Sequence, residues 1–147
     1  PVEAHLPHDY IPSERLRLEM YKRLAEVRSD EDVDAITEEL TDRYGEPPEP
    51  VVALQLVARF RARARAAGIN EITTVGKNVR FASVVLPESR KVRLNRLYPK
   101  SIVKEQVGAL LVPRPGIPGR TGTPIEGVAV LEWARGVIDA IIDPKDG

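Results

Sequence analysis

Glu71-Ile72-Thr73-Thr74-Val75-Gly76-Lys77-Asn78-Val79-Arg80-Phe81-Ala82-Ser83-Val84-Val85-Leu86 is where the chain changes its hydrophobic period, and that change decides the fold. Upstream, apolar residues recur at helical spacing; here two β-branched-rich runs flank Gly76-Lys77-Asn78, a hairpin signature. The chain therefore reads as α+β, with three N-terminal helices, a small mostly antiparallel sheet of about four strands, an intervening short helix, and a C-terminal helix packed on the sheet.

Working back from the hairpin, the third helix covers about 50–67 and ends at Gly68. Leu56, Val57 and Phe60 share an arc with Ala53, Ala64 and Ala67, bordered by Arg59 and Arg63 on one side and by Arg61 and Arg65 on the other. Those arginine pairs lie roughly 200° apart at about 100° per residue, so they cannot line one phosphate-binding stripe. Their stems belong along the core edge. Before this helix, Glu46-Pro47-Pro48-Glu49-Pro50 is a stiff connection.

The second helix, about 30–44, opens on Ser29-Asp30-Glu31-Asp32, which resembles a capping box with a shortened acid, and closes on Gly45. The first, about 13–27, is capped by Ser13 with Glu14 in its first turn. Leu16, Met20 and Leu24, with Tyr21 and Val27, form its packing side, while Arg15, Glu19, Lys22 and Arg23 face out. Residues 1–12, punctuated by Pro1, Pro7 and Pro12, form an extended lead-in. Its His5, His8 and Asp9 lack further ligands at metal-binding spacing and read as solvated polar groups.

Downstream of the hairpin, Pro87 opens a short helix over about 88–97 with Leu94, Leu97 and Tyr98 inward and Arg90, Lys91, Arg93 and Arg96 on its polar side. Strands follow at 101–104 and 109–112. The glycine- and proline-rich stretch 113–122 lacks the Gly-Lys-Ser/Thr ending of a phosphate loop and reads as a flexible connector. Thr123-Pro124-Ile125-Glu126 then has cap, N1 proline and N3 glutamate, so the last helix is expected over about 124–142, with Trp133 in or beside the core.

The 147 residues suit one domain, taken as 13–143, large enough for its own hydrophobic core. With no cysteine there is no disulfide framework, thiolate metal site or cysteine nucleophile. No apolar run is long enough to span a bilayer and no signal-peptide layout opens the chain, so a cytoplasmic protein without membrane contact is expected. The start at Pro1 suggests a fragment of something longer. No serine sits in a nucleophile elbow, and paired acids such as Glu38 and Glu39 lie on a surface helix with no burial to raise a pKa. The domain reads as non-enzymatic, with no metal or cofactor of its own.

Charge is zero overall but uneven: residues 1–50 carry 14 acids and 6 bases, residues 51–100 carry 2 acids and 11 bases. Side-by-side neutralisation of the two parts explains this simply. One charged group stands apart. Glu39, Asp42 and Arg43, at i, i+3 and i+4 near the end of the second helix, project away from the Val33, Ile36, Leu40 and Tyr44 stripe, whose centre lies roughly 105° from Glu39 and about 165° from Asp42. As a solvated i,i+4 pair, Glu39 and Arg43 contribute about 0.2–0.5 kcal/mol and nothing more. As a docking surface, the same face would meet another protein domain. Asp42 sits poorly with the helix dipole, a local rule broken without visible gain.

Leu6-Pro7-His8-Asp9-Tyr10-Ile11-Pro12, Arg15-Leu16-Arg17-Leu18-Glu19-Met20-Tyr21-Lys22-Arg23 and Glu39-Leu40-Thr41-Asp42-Arg43-Tyr44-Gly45-Glu46-Pro47-Pro48 together resemble the C-terminal domain of the bacterial transcription-repair coupling factors, the Mfd family. The likeness covers residues 6 to about 70 well; Leu97-Tyr98-Pro99 and Leu111-Val112-Pro113-Arg114-Pro115 look like family variants of lower specificity. The resemblance implies a parent that is an ATP-driven DNA translocase, with ATP and Mg²⁺ in its motor and none in this domain. It also implies an autoregulatory role: docking on a UvrB-like domain of the same polypeptide, hiding the UvrA-binding surface until RNA polymerase is engaged. The family's docking acid, acid and arginine fall on Glu39, Asp42 and Arg43. The competing expectation is a nucleic-acid-binding accessory module that uses the basic 51–100 segment, with contacts from Arg90, Lys91, Arg93 and Arg96.

Overall fold

The computed structural model describes residues 4–119 and 122–144. Lead-in positions 1–3 and connector positions 120–121 therefore lie outside the described residues. Among the described residues the elements run α1 (Glu14–Ala25), α2 (Asp30–Tyr44), α3 (Glu49–Ala66), β1 (Glu71–Val75), β2 (Asn78–Ala82), α4 (Glu88–Leu97), β3 (Ile102–Lys104), β4 (Ala109–Pro113) and α5 (Val128–Val137). The architecture is α+β, as the change of period implies. The backbone forms two compact units, one up to Arg63 and the other from Ala64 onward, and the dividing point falls inside α3.

The first unit is held by apolar stripes at helical spacing. Met20, Leu24 and Val27 from α1 and its exit, Val33, Ile36 and Leu40 from α2, and Val51, Ala58 and Ala62 from α3 are buried in one cluster. The ends are capped much as the local sequence dictates. Ser13 Oγ accepts from the Leu16 amide and Ser29 Oγ from the Asp32 amide. The reciprocal bond of the box is displaced by one residue: Asp32 Oδ2 accepts from the amide of Arg28 rather than of Ser29. Arg59 fastens α3 to the start of α2, donating to Asp30 O at 3.2 Å and to the Asp34 carboxylate.

The lead-in takes part in this core. Leu6 and Ile11 are buried, residues 8–10 form a turn, and the Ile11 amide donates to Pro7 O. The His5 amide donates to Pro50 O and the Leu6 amide to Tyr21 Oη.

In the second unit α3 closes in a Schellman arrangement. Ile69 N donates to Ala64 O and Gly68 N to Arg65 O, with Gly68 at φ 82°, a backbone conformation natural only to glycine. The sheet has the order β1-β2-β4-β3 and every pairing is antiparallel. The hairpin pairs Val75 with Asn78, so its loop is Gly76-Lys77 alone, and Gly76 supplies the positive φ that a tight turn needs. β2 stops at Ala82, short of the expected Leu86, because its partners end there: Ala82 faces both Glu71 and Ala109, and beyond it Val84 N bonds Gly108 O. β4 lies between β2 and β3, and Ala109, Leu110, Leu111 and Val112 are all buried.

The C-terminal helix begins later than its capping signal suggests. Thr123-Pro124-Ile125-Glu126 does not open it; Ile117 N donates to Thr123 O, Ile125 N donates to Pro115 O, and Gly116 bridges to Pro124. Backbone pairing has claimed the cap residues, and α5 starts at Val128 after Gly127 turns the chain at φ 66°. It runs on as a π-helical turn over Ile138–Ile142, where Ile138 and Ile141 are fully buried and α4 lies alongside. Tyr98, just past α4, meets Trp133 of α5 edge-on at 6.4 Å. Arg114 ties the connector to the hairpin loop, donating to Gly76 O at 2.8 Å and to Ile125 O at 3.1 Å.

Candidate docking face

The last two turns of α2 are fixed from behind. Leu40 is fully buried, Tyr44 packs at the core edge, and Gly45 closes the helix at φ 89° with its amide on Thr41 O. Tyr10 reaches in from the lead-in: its hydroxyl donates to Gly45 O at 2.8 Å and approaches Leu40 O at 3.3 Å, and its ring lies 5.6 Å from that of Tyr44. Burial raises the Tyr10 pKa above the ordinary tyrosine value, with Tyr44 adding to the shift. The hydroxyl thus stays a proton donor to Gly45 O, a carbonyl beyond the reach of the amides of α2.

On the opposite side stand the three charges at their expected spacing. Asp42 and Arg43 are exposed and Glu39 is half-buried. Glu39 Oε2 accepts from Arg43 at only 3.5 Å, whereas Arg23 Nη1, reaching across from α1, donates to the same oxygen at 2.8 Å. Arg23 is therefore the principal partner of Glu39, and the i,i+4 pair is secondary. The Arg23 hydrogen bond chiefly, helped by the fields of both arginines, holds the Glu39 carboxyl below the usual glutamate range against the opposing effect of burial. Arg43 also lies over the Tyr44 ring, 5.2 Å from its centre. Asp42 makes no ion pair among the described residues.

Two residues support this face in ways that carry no signal in the sequence periodicity. Arg23 is legible as an outward residue of α1, but its meeting with Glu39, sixteen positions on, depends on how the α1–α2 hairpin folds. Tyr10 carries no periodic signal at all in a proline-punctuated stretch.

The basic set of α4 is differently employed. Arg90 donates to Ile142 O at 2.6 Å and Ile141 O at 3.3 Å, and Arg93 to Ala140 O at 2.9 Å. These are the carbonyls at the end of the C-terminal helix, where a cation suits the helix dipole. Lys91 bonds Glu88 and Glu105, and the Glu105 bond first, then that of Glu88, raises its pKa. Only Arg96 of the four has no partner among the described residues. His5, His8 and Asp9 are all exposed, and among the described residues no group of three or more histidines and acids is arranged to hold a metal ion. No helix among them is long and apolar enough to cross a membrane.

The family model of the TRCF domain matches residues 1–94, which include the whole of this face. The chain belongs to the TRCF domain family. A transcription-repair-coupling factor of Mycobacterium tuberculosis (strain CDC 1551 / Oshkosh) is 43% identical to this TRCF-domain chain over 142 residues, covering 96% of it and 12% of the relative. One of Escherichia coli (strain K12) is 39% identical over 67 residues, 46% of this chain and 6% of the relative. The TRCF-domain chain thus spans about an eighth of the length of the mycobacterial relatives it matches. The crystal structure of the C-terminal domain of a transcription-repair coupling factor shares the fold, with a TM-score of 0.73 at 18% identity, covering 99% of this chain and 90% of that one.

Proposed function

We propose that this TRCF domain is a non-catalytic autoregulatory clamp: through Glu39, Asp42 and Arg43 it docks on the UvrB-like domain of its own polypeptide and masks the UvrA-binding surface until RNA polymerase is engaged. The observation that carries the reading is the division of labour in α2. Leu40 and the Tyr44 edge serve the core, while Asp42 and Arg43 stand in solvent, Asp42 without a counter-ion among the described residues and Arg43 held only loosely. Membership of the family supports it, since the motif that the docking role needs is present residue for residue.

A charged face of this kind suits a switch. Exposed ion pairs contribute only about 0.2–1 kcal/mol each and chiefly confer specificity, so a competing engagement elsewhere in the parent can open the clamp. ATP and Mg²⁺ act in the parent's motor, which also carries the contact with DNA; the clamp domain takes part in neither and works in the cytoplasm.

The test is to change Glu39, Asp42 and Arg43 together to alanine in the full-length parent and to measure UvrA affinity with and without polymerase. The expected result is a rise of about 5-fold or more without polymerase, the lower end of a typical coupling free energy of about 1–3 kcal/mol. Unchanged UvrA affinity overturns the assignment.

A further inference from the structure

Glu39 does not stand on the docking face as a bare carboxylate. One of its oxygens already accepts from two guanidinium groups, Arg23 at 2.8 Å and Arg43 at 3.5 Å, and the first is the shorter and stronger. All three side chains keep a third or more of their surface in water, 44% for Arg23, 47% for Arg43 and 36% for Glu39, so the cluster can rearrange without disturbing the core. Two cations share this one carboxylate oxygen. Asp42, one turn away, has no such shield among the described residues.

We propose that Arg23 is the resting counter-ion of Glu39, a competitor that the docking partner's own cation must displace, and so a residue that weakens docking and keeps the clamp releasable. The inference rests on the docking function proposed above, and it assigns to Arg23 of α1 a part that the charged motif on α2 does not contain. A carboxylate on a docking face is recognised by a lysine or arginine across the interface. That incoming cation meets like charge from Arg23 at the oxygen it seeks, and the Arg23 bond has to be given up before the new one forms. Arg43 points the opposite way in sign and takes an acidic group of the partner. Asp42 takes a second basic one without competition. The partner surface is therefore mixed, mainly basic opposite Glu39 and Asp42 and acidic opposite Arg43.

Removing Arg23 should close the clamp further, the opposite of removing Glu39. In the full-length parent without polymerase, Arg23→Gln is expected to lower UvrA affinity by roughly 1.5- to 5-fold, the range in which an exposed ion pair acts. In a Glu39→Gln background the same substitution should have no effect, because the bond it removes is already absent. An unchanged or raised UvrA affinity for Arg23→Gln overturns the competition. If the alanine triple variant opens the clamp while Arg23→Gln fails to close it, the docking function stands and this inference alone falls; if the triple variant has no effect, the docking function falls first. A thermal melt of each variant controls for folding, and an NMR titration of the Glu39 carboxyl gives a second readout. Its pKa should move up toward the ordinary glutamate value in Arg23→Gln, and no movement would mean that the pair is not formed in solution.

Discussion

Removing the hydroxyl of Tyr10 tests whether the charged face is held in place from behind. The Tyr10→Phe variant keeps the ring against Tyr44 at 5.6 Å but deletes the donor to Gly45 O at 2.8 Å and Leu40 O at 3.3 Å. A hydrogen bond of this kind contributes about 0.5–1.5 kcal/mol net. Gly45 is exposed, so water can replace the lost donor at its carbonyl, which places the expected cost near the lower half of that range. Tyr10→Ala also deletes a half-buried ring from the core edge. Full removal of a buried aromatic costs about 3–5 kcal/mol, so a half-buried one should cost roughly 2 kcal/mol, including about 0.5–1.5 kcal/mol from the aromatic pair. The assays are urea unfolding of the domain and amide exchange at Tyr44 and Gly45, whose protection should fall in Tyr10→Phe more than that of the buried middle of α2 around Val33 and Ile36. If Tyr10→Phe is neutral in both, the hydroxyl is no cap, and the Thr41–Gly45 backbone bond alone ends the helix.

Gln55 lies in the buried stripe of α3 between Val51 and Ala58, and its Nε2 has no hydrogen-bond partner among the described residues, so Gln55→Met should stabilise the domain by about 1 kcal/mol in urea unfolding. The Glu39 carboxyl is held below the glutamate range in the folded state, so the stability it contributes is full above the unfolded pKa and is lost as pH falls through the folded one; the acid limb of a stability–pH profile should flatten in Arg23→Gln. Arg90→Ala should destabilise the domain by roughly 1 kcal/mol through the loss of its bonds to Ile141 O and Ile142 O, as read from thermal melts. A nucleic-acid role for Arg90, Lys91, Arg93 and Arg96 predicts instead a salt-dependent loss of DNA affinity with stability intact.

Local physics explains what could be read early. Helices α1 to α3 and the hairpin follow from short-range rules: a period near 3.6 for Val33, Ile36 and Leu40, a serine oxygen ahead of each of the first two helices, and Gly45, Gly68 and Gly76 where these elements need positive φ. The same rules put Glu39, Asp42 and Arg43 on one outward side, since the direction of a side chain on a helix depends only on its position. The late start of α5 shows where they stop. A threonine–proline–glutamate signal is worth about 1 kcal/mol, and pairing of the 115–117 and 123–125 backbones outweighs it.

The sequence by itself thus determined the α+β class, the order of elements and the direction of the charged face, because each depends on residues within a turn or two of one another. Only the tertiary structure decided what those charges touch: that Glu39 answers to Arg23 before Arg43, that Tyr10 caps the helix beneath them, and that Arg90 and Arg93 serve helix-end carbonyls. Those partners lie 16, 35 and about 50 residues apart in the chain, and no periodicity reports a meeting that only folding brings about.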